Sequence, residues 1–292
     1  MNQTKFSGTV GYVGLGDMGG GIATHLADVG VKLIVHDLNP AAVDALIARG
    51  ARAATSLEDL AGSADVIIIC VDPAPNVVSV VDHLTPHLTN AQTVIIQSSV
   101  APRVICEMAE RVASLGATLL DAPVSGDYQD RLNGTLSVLV GSRFEDIEAI
   151  VPLLESIGRP IYMGVLGGGE VAKIANNSIM MATRLAVTDA MELAHSFGLG
   201  EEELISAVKI SSGACFSIDR WSYFDEHVVS GFSLRMAPKQ NQEILQIAEE
   251  QGIRMPMTEA AREFGTQIME QRYKRLTGQN FGSGDSSDAI AD

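Results

Sequence analysis

The sequence has few cysteines, few aromatic residues and no long apolar run. Three of its 292 residues are cysteines, and 5% are aromatic. Cys70, Cys106 and Cys215 are far apart and lie in apolar surroundings, which predicts buried, reduced thiols and not a disulfide framework. No stretch reaches the roughly 18 apolar residues that a membrane-spanning helix needs. Residues 1–8 lack the apolar core of a signal peptide, so we expect a cytoplasmic protein with no membrane partner.

Positive charge is also scarce. Lys and Arg together number 20 against 36 Asp and Glu, which gives a net charge of −16. Nucleic-acid binding needs basic patches, so this balance argues against a nucleic-acid partner. The charges are spread along the chain, and we interpret them as a solvated acidic surface. Aliphatic residues are abundant, because 46% of the chain is hydrophobic while few residues are aromatic, and this suits an α/β core.

A glycine-rich turn follows a short apolar segment near the N-terminus. Residues 9–13 predict a strand, and an amphipathic helix is expected over 18–29. Between them lies the pattern GxGxxG, whose glycines allow a tight turn and let the backbone approach a pyrophosphate at the helix N-terminus. The predicted cofactor contacts in this turn are Gly14, Gly16, Asp17, Met18 and Gly19.

An acidic residue follows the next predicted strand. Residues 31–36 predict that strand, and Asp37 comes directly after it, 23 residues beyond Gly14. A carboxylate at this distance can accept hydrogen bonds from the ribose hydroxyls of NAD. No arginine follows in the turn HDLNP to pair with the 2′-phosphate of NADP, so we expect NAD to be preferred. The alternative is that Asp37 only caps the helix that begins near Pro40.

Strands and helices go on alternating as far as residue 121. We predict helices near 41–49, 77–83 and 103–113, and strands over 66–71, 93–97 and 118–121. This alternation predicts a doubly wound parallel sheet, in which ligands bind beyond the carboxyl ends of the strands. Val71, Asp72 and Ser99 are therefore expected beside the cofactor. His83 and His87 are four residues apart, but Pro86 interrupts their helix and no third ligand is nearby, so no metal site is predicted.

The stretch around Lys173 has the pattern of a glycine-rich turn that leads into a long helix. Four glycines occur between residues 164 and 169, and a breaker-poor run extends from 170 to about 197. Lys173 lies about one turn inside this helix, and Asn177 follows four residues later on the same face. The positive end of the helix dipole disfavours the charged form of a lysine, which suits it to acid/base chemistry. The alternative is a solvated lysine beside a surface asparagine.

Four sequence blocks, read together, resemble the β-hydroxyacid dehydrogenase family, which comprises enzymes like 3-hydroxyisobutyrate dehydrogenase and tartronate semialdehyde reductase. The blocks are GLGDMG at 14–19, DAPVSG at 121–126, GTLSVLVG at 134–141 and GVLGGGEVAKIANN at 164–177. They occur in the family's order and cover nearly the whole chain. The last block is the most specific, because it resembles the family's signature leading to its catalytic lysine.

The resemblance implies a Rossmann-type NAD-binding domain over 1–166 and an all-helical domain over 167–292, joined by the long helix. It implies that Lys173 and Asn177 are catalytic and that Lys239 helps to bind the cofactor. The substrate would contact Ser125, Gly126, Asp127 and Asn176. Members of this family form homo-oligomers, so a homodimer or homotetramer is expected.

The chain departs from the family pattern at four places. Asp127 stands where a second glycine is usual, and Val71–Asp72 stands where a leucine–proline pair is usual, with the proline displaced to Pro73. Ile96 stands where an aspartate is common, and Gln240 stands where an aspartate usually follows the lysine. A carboxylate at Asp127 would oppose an anionic substrate unless it points away or is paired, for instance with Arg131. These departures concern the substrate more than the hydride chemistry.

The function expected from the sequence is an NAD-dependent oxidoreductase acting on CH–OH groups. It would interconvert a small β-hydroxy acid, or a related alcohol, with its aldehyde or ketone, with Lys173 as general acid/base. Two alternatives stay open. One is an imine reductase on the same fold, and the other is an NAD(H)-binding protein without catalysis.

Overall fold

The computed structural model describes residues 6–282, which form two compact units that divide at Lys173 and Ile174. The described part of the first unit contains nine strands: β1 (Thr9–Val13), β2 (Lys32–His36), β3 (Arg52–Ala53), β4 (Val66–Ile69), β5 (Thr93–Ile96), β6 (Thr118–Asp121), β7 (Val124–Ser125), β8 (Leu136–Val140) and β9 (Gly158–Tyr162). Its helices are α1 (Asp17–Asp28), α2 (Pro40–Ile47), α3 (Leu57–Ala61), α4 (Ala74–Leu84), α5 (Pro102–Ala113), α6 (Tyr128–Asn133) and α7 (Val151–Ile157).

Six of these strands form one parallel sheet in the order β3-β2-β1-β4-β5-β6. The order reverses between β1 and β4, so the carboxyl ends of these two strands flank the switch point where such sheets bind ligands. The doubly wound sheet predicted from the alternation is confirmed. The strands agree with the predicted ones to within two residues, whereas the two-residue β3 and the five-residue α3 were not predicted.

The sheet buries apolar side chains on both faces, as a parallel sheet covered by helices must. In β4, Val66 and Ile68 join one buried cluster, and Ile67 and Ile69 join the other. The first cluster includes residues of α1 and α7, and the second includes residues of α4 and α5. The continuous apolar run VIII follows from this two-sided burial.

A second, smaller sheet follows the first along the chain. β8 pairs antiparallel with β7 and parallel with β9. An isolated bridge between Asp121 and Gly141 connects the end of β6 to the end of β8. The DAPVSG segment therefore connects β6 of the first sheet to β7 of the second, and α6 begins two residues after its end.

The second unit is helical. Its elements are α8 (Gly168–Ser196), which begins in the first unit, then α9 (Glu201–Lys209), α10 (Phe216–Asp219), α11 (Trp221–Val229), α12 (Phe232–Glu250) and α13 (Pro256–Thr277). The predicted long helix is confirmed. The buried core of the second unit includes Val187, Met191, Ile218 and Trp221.

Two expectations were wrong in detail. The sequence predicts a helix near 239–251 with Lys239 at its start, but α12 begins seven residues earlier, at Phe232. Proline is disfavoured in a helix interior, yet α12 continues through Pro238. The three cysteines are free, as expected, but each is half-buried rather than buried. None of the helices among residues 6–282 is both long and apolar enough to cross a bilayer.

Candidate active site

The glycine turn after β1 has the geometry that a dinucleotide requires. Gly14 has a φ of 94°, and a Cβ at this position would lie 2.1 Å from the carbonyl oxygen of Cys70, so only glycine fits. A Cβ on Gly16 would meet no other atom within 4 Å, so the turn borders open space there. Gly16 is the N-cap of α1 and has no side chain to satisfy the first N–H groups. These groups can bind a pyrophosphate, and Met18 and Gly19 lie in the same turn.

Asp37 follows β2 and holds the glycine turn through its carboxylate. Its Oδ2 accepts a hydrogen bond of 2.5 Å from the N–H of Leu15, and its Oδ1 accepts one of 2.7 Å from the N–H of Asn39. The N-cap of α2 is Asn39, whose side chain accepts from Ala41, so Asp37 is not that cap. Each carboxylate oxygen can accept more than one hydrogen bond, so Asp37 keeps acceptor capacity for ribose hydroxyls.

The segments after β4 and β5 lie at the same edge of the sheet. The N–H of Val71 donates to the Ser98 hydroxyl at 2.8 Å, and Ser98 is buried. Ser99 and Asp72 are exposed, so their side chains face solvent at the edge where a ligand is expected. The peptide bond between Asp72 and Pro73 is cis. Among residues 6–282 there is no group of three or more side chains suited to holding a metal ion.

The turn around Ser125 and Gly126 ends β7 and leads into α6. Asp127 is the N-cap of α6, where its Oδ1 accepts from the N–H groups of Gln129 at 2.8 Å and Asp130 at 3.0 Å. The Asp130 carboxylate in turn accepts from the Asp127 N–H at 2.9 Å, which completes a capping box. Asp127 is only 5% exposed. Its carboxylate therefore serves the helix, and the ion pair that the structure gives Arg131 is with Asp17.

Lys173 lies in the second turn of α8 and points back to the DAPVSG segment. Its Nζ donates a hydrogen bond of 2.8 Å to the carbonyl oxygen of Val124, directly before Ser125. Burial lowers the pKa of Lys173 below the usual 10.5, and the nearby Glu170 carboxyl opposes this by raising it. The direction agrees with the prediction, but the main cause is desolvation and not the helix dipole.

Asp121, at the end of β6, anchors the beginning of α8. It is fully buried, and its carboxylate accepts from the N–H of Gly167 at 2.7 Å and of Glu170 at 2.8 Å. Burial raises the pKa of Asp121, and these backbone hydrogen bonds oppose the rise. An anion at a helix N-terminus is stabilised by the free N–H groups and the dipole. This contact connects residues 46 positions apart, so no short-range pattern predicts it.

Glu170 is a second buried acid beside Lys173 that the sequence did not single out. It is 1% exposed, and its Oε1 has no hydrogen-bond partner among the described residues. Burial raises its pKa well above 4.5, and the neighbouring Asp121 carboxyl raises it further. A backbone hydrogen bond from Val100 and the charge of Lys173 act in the opposite direction. An acid in the first turn of a helix that follows glycines was the only signal available in the sequence.

The remaining predicted residues belong to the second unit. Asn176 and Asn177 follow Lys173 on α8, and the Asn176 Nδ2 lies 3.5 Å from the Asn177 Oδ1. Asn177 comes one turn after Lys173, so the continuous helix gives the two side chains the same face. Lys239 is exposed on α12. The roles given to these residues stay predictions.

Comparison with known proteins identifies both parts of the chain. Residues 9–167 match the family described as the NAD binding domain of 6-phosphogluconate dehydrogenase. Residues 167–281 match the family described as NAD-binding of NADP-dependent 3-hydroxyisobutyrate dehydrogenase. The matched ranges meet at the glycines that precede α8.

Individual relatives agree with these matches. A mitochondrial 3-hydroxyisobutyrate dehydrogenase from Drosophila melanogaster is 32% identical over 71% of this chain, and the match spans 65% of that protein. An NAD-dependent L-serine dehydrogenase from Pseudomonas aeruginosa is 35% identical over 72% of each chain. A structure of Mycobacterium tuberculosis 3-hydroxyisobutyrate dehydrogenase with L-serine has a TM-score of 0.81 over 94% of each chain, and at 23% identity it supports the fold.

The cofactor class is a nicotinamide dinucleotide, as indicated by the glycine turn with Asp37, by the two matched ranges and by these relatives. Open space beside Gly16 and the uncapped first turn of α1 fit a nicotinamide dinucleotide. The chain therefore belongs to the β-hydroxyacid dehydrogenase family of NAD-dependent oxidoreductases that act on CH–OH groups.

Proposed function

We propose that the protein interconverts a small β-hydroxy acid and its aldehyde or ketone, with Lys173 as the general acid/base. This proposal rests on the burial and the hydrogen bonding of the Lys173 amine. Its Nζ is held 2.8 Å from the Val124 carbonyl oxygen, and burial lowers its pKa. A lysine whose pKa is lowered by burial gives up its proton more readily than an exposed lysine does.

The division of chemistry follows from the residues present. A bound nicotinamide supplies or accepts the hydride. In alcohol oxidation, neutral Lys173 removes the hydroxyl proton, and in carbonyl reduction protonated Lys173 returns it to the developing alkoxide. Asn177, one turn later on α8, would orient the reacting oxygen. The Val124 carbonyl holds one Nζ hydrogen and so directs the remaining positions of the ammonium group.

A substrate carboxylate would bind at the turn of Ser125 and Gly126. Asp127 follows this turn, and a free carboxylate there would repel an anion. Its Oδ1 instead accepts two backbone hydrogen bonds of α6, and the residue is 5% exposed. This arrangement supports a carboxylated substrate. L-Serine is a suitable test compound, since it is a β-hydroxy acid and the named substrate of the Pseudomonas aeruginosa relative.

The test of the mechanism is removal of the Lys173 amine. We expect Lys173→Ala to lower kcat by about 10²- to 10⁴-fold, the usual contribution of a general acid/base. NADH affinity, measured by nicotinamide fluorescence, should stay close to that of the wild type. Lys173→Arg is the matched control, because it keeps the positive charge but cannot release a proton. Turnover retained in either variant would contradict the assigned role.

The pH profile gives an independent check. Because burial lowers the pKa of Lys173, alcohol oxidation should rise with pH, and the midpoint of this rise should lie below 10.5. Carbonyl reduction should fall over the same range. The assay follows absorbance of reduced nicotinamide with carboxylated alcohols, uncharged alcohols and a cyclic imine. Turnover of the imine alone would favour the imine reductase, and tight NADH binding with no turnover would favour the binding protein.

A further inference from the structure

Arg131 and Asp17 join the segment after the DAPVSG turn to the dinucleotide-binding turn. Arg131 lies on α6 and is 8% exposed. Its guanidinium donates a hydrogen bond of 3.1 Å to the Oδ1 of Asp17. Asp17 is the first residue of α1, directly after Gly16, and 88% of its side chain is exposed. The pair therefore combines a buried cation with a carboxylate that faces solvent at the N-terminus of α1.

The surroundings of Arg131 are built to hold it there. Gly21 faces Arg131 from α1, and a Cβ on Gly21 would lie only 2.7 Å from the Arg131 Cδ. The arginine side chain therefore packs where a larger residue at position 21 would place its side chain. The Tyr128 ring covers the guanidinium at 4.5 Å. A hydrogen-bond contact of 2.9 Å between His25 Nδ1 on α1 and the Leu132 carbonyl oxygen fixes α6 against the same helix.

The cation is desolvated but only partly satisfied. Its Nε is buried and has no hydrogen-bond partner among the described residues. A buried guanidinium costs solvation free energy unless nearby negative charge compensates it. Asp17 supplies one such charge, and an anion at the first turn of α1 would supply another.

Asp17 by itself would oppose the cofactor. The first-turn N–H groups of α1 suit a pyrophosphate, which carries negative charge, and an unpaired carboxylate beside Gly16 would repel it. We infer that Arg131 is a positioning residue for NAD affinity, which neutralises Asp17 and holds its carboxylate to the side of the pyrophosphate site. This inference concerns cofactor binding and does not depend on the role of Lys173.

The test is a double-mutant cycle in the full chain, read out as the Kd for NADH by nicotinamide fluorescence at low salt. Arg131→Met keeps the length of the side chain and removes its charge, and we expect about tenfold weaker binding. Asp17→Asn should bind NADH more tightly than the wild type. In the Asp17→Asn background, Arg131→Met should cost less than about threefold, because the charge to be neutralised is gone.

A second ion pair on the same helix provides the matched control. Arg49 contacts Asp28 at 2.6 Å, and Asp28 is the last residue of α1. Arg49→Met changes the net charge of the protein by the same amount as Arg131→Met, but at the opposite end of the helix. It should leave the NADH Kd within about twofold of the wild type, because exposed charges this far apart are screened. The defect of Arg131→Met should also shrink in about 0.5 M salt.

The outcomes separate electrostatics from packing. An equal loss of affinity in the wild-type and Asp17→Asn backgrounds would mean that Arg131 acts only through packing of α6, and would overturn the inference. Unchanged affinity in Arg131→Met would overturn it as well. If circular dichroism shows that Arg131→Met does not fold, Asp17→Asn alone decides. Tighter NADH binding in that variant supports the inference, and equal or weaker binding contradicts it.

Discussion

At the scale of single residues, two buried acids surround the beginning of α8. The Asp121 carboxylate accepts hydrogen bonds from the N–H groups of Gly167 and Glu170. The Glu170 carboxyl is buried, and one of its oxygens has no hydrogen-bond partner among the described residues. Two neighbouring buried carboxyls disfavour double ionisation. Burial and the neighbouring Asp121 carboxyl raise the pKa of Glu170 well above 4.5, so folding favours the protonated form of this side chain.

This assignment predicts how stability depends on pH. A carboxyl whose pKa is raised by folding takes up a proton when the chain folds, so its contribution is complete below its unfolded pKa near 4.5 and is lost as pH rises. Glu170→Gln removes this proton uptake. As the pH rises from about 5 to about 8, the wild type should lose unfolding free energy relative to the variant. Urea unfolding at both pH values measures the difference.

The control for this experiment is an exposed acid of the same unit. Glu110 lies on α5 and is exposed, so Glu110→Gln should leave the pH dependence of stability unchanged. Parallel pH dependences of the wild type and Glu170→Gln would show that Glu170 is ionised in the folded protein.

The sequence singled out the candidate site residues that belong to short-range patterns. GxGxxG and Asp37 lie within one strand–helix–strand unit, and Lys173 and Asn177 lie one turn apart, so patterns over a few residues reveal them. Asp121, Glu170 and Arg131 act through contacts that only the folded chain creates. Asp17, with which Arg131 forms its ion pair, is 114 positions away, so no short-range pattern predicts this contact.

At the scale of elements, α6 is a six-residue helix that depends on its ends. Asp127 caps its N-terminus in a capping box, and Gly134 ends it in the left-handed conformation with a φ of 65°. A helix this short is not stable by its intrinsic propensity, and its stability therefore depends on its caps and on its packing against α1. The position of Arg131 beside Asp17 therefore depends on Asp127.

We predict that Asp127→Ala destabilises the protein by about 0.5–2 kcal/mol, the usual cost of removing an N-cap side chain. Asp127→Ser keeps an N-cap oxygen without the charge, so it should recover most of this loss. The midpoint of urea unfolding distinguishes the two variants. Equal destabilisation by Ala and Ser would mean that the charge of Asp127, and not its cap hydrogen bonds, stabilises this turn.

Elements with strong periodicity were predictable, and elements defined by pairing were not. The strands of the parallel sheet are continuous apolar runs between helices, so their pattern is visible in the sequence. β3 and β7 contain two residues each and exist only because a neighbouring strand pairs with them. The helix predicted near 239 begins at Phe232 instead and continues through Pro238, a residue that is disfavoured in a helix interior.

At the scale of the whole molecule, the family and its cofactor class follow from both matched ranges, while the substrate depends on a few side chains. Relatives that share the fold carry different names, including 3-hydroxyisobutyrate dehydrogenase and L-serine dehydrogenase. Discrimination among such substrates resides in pocket contacts and not in the fold. The Ser125 turn and α6, which carries the chain's own Arg131, are where we expect this protein to differ.

The homo-oligomer expected from the family has a candidate surface on α8. Ile179 and Leu193 are 66% and 62% exposed, and their spacing of 14 residues places them on one face of the helix. Phe197, which is 84% exposed, comes directly after the last residue of α8. An apolar stripe of this kind marks an interface when it is buried by a partner.

We predict that the protein sediments at two or four times the monomer mass, and that Leu193→Asp with Phe197→Asp shifts it to the monomer. Ile253→Asp, at an exposed apolar residue outside α8, is the control and should not change the mass. A monomeric wild type at micromolar concentration would contradict the expectation, and a double variant that keeps the wild-type mass would place the interface on another surface.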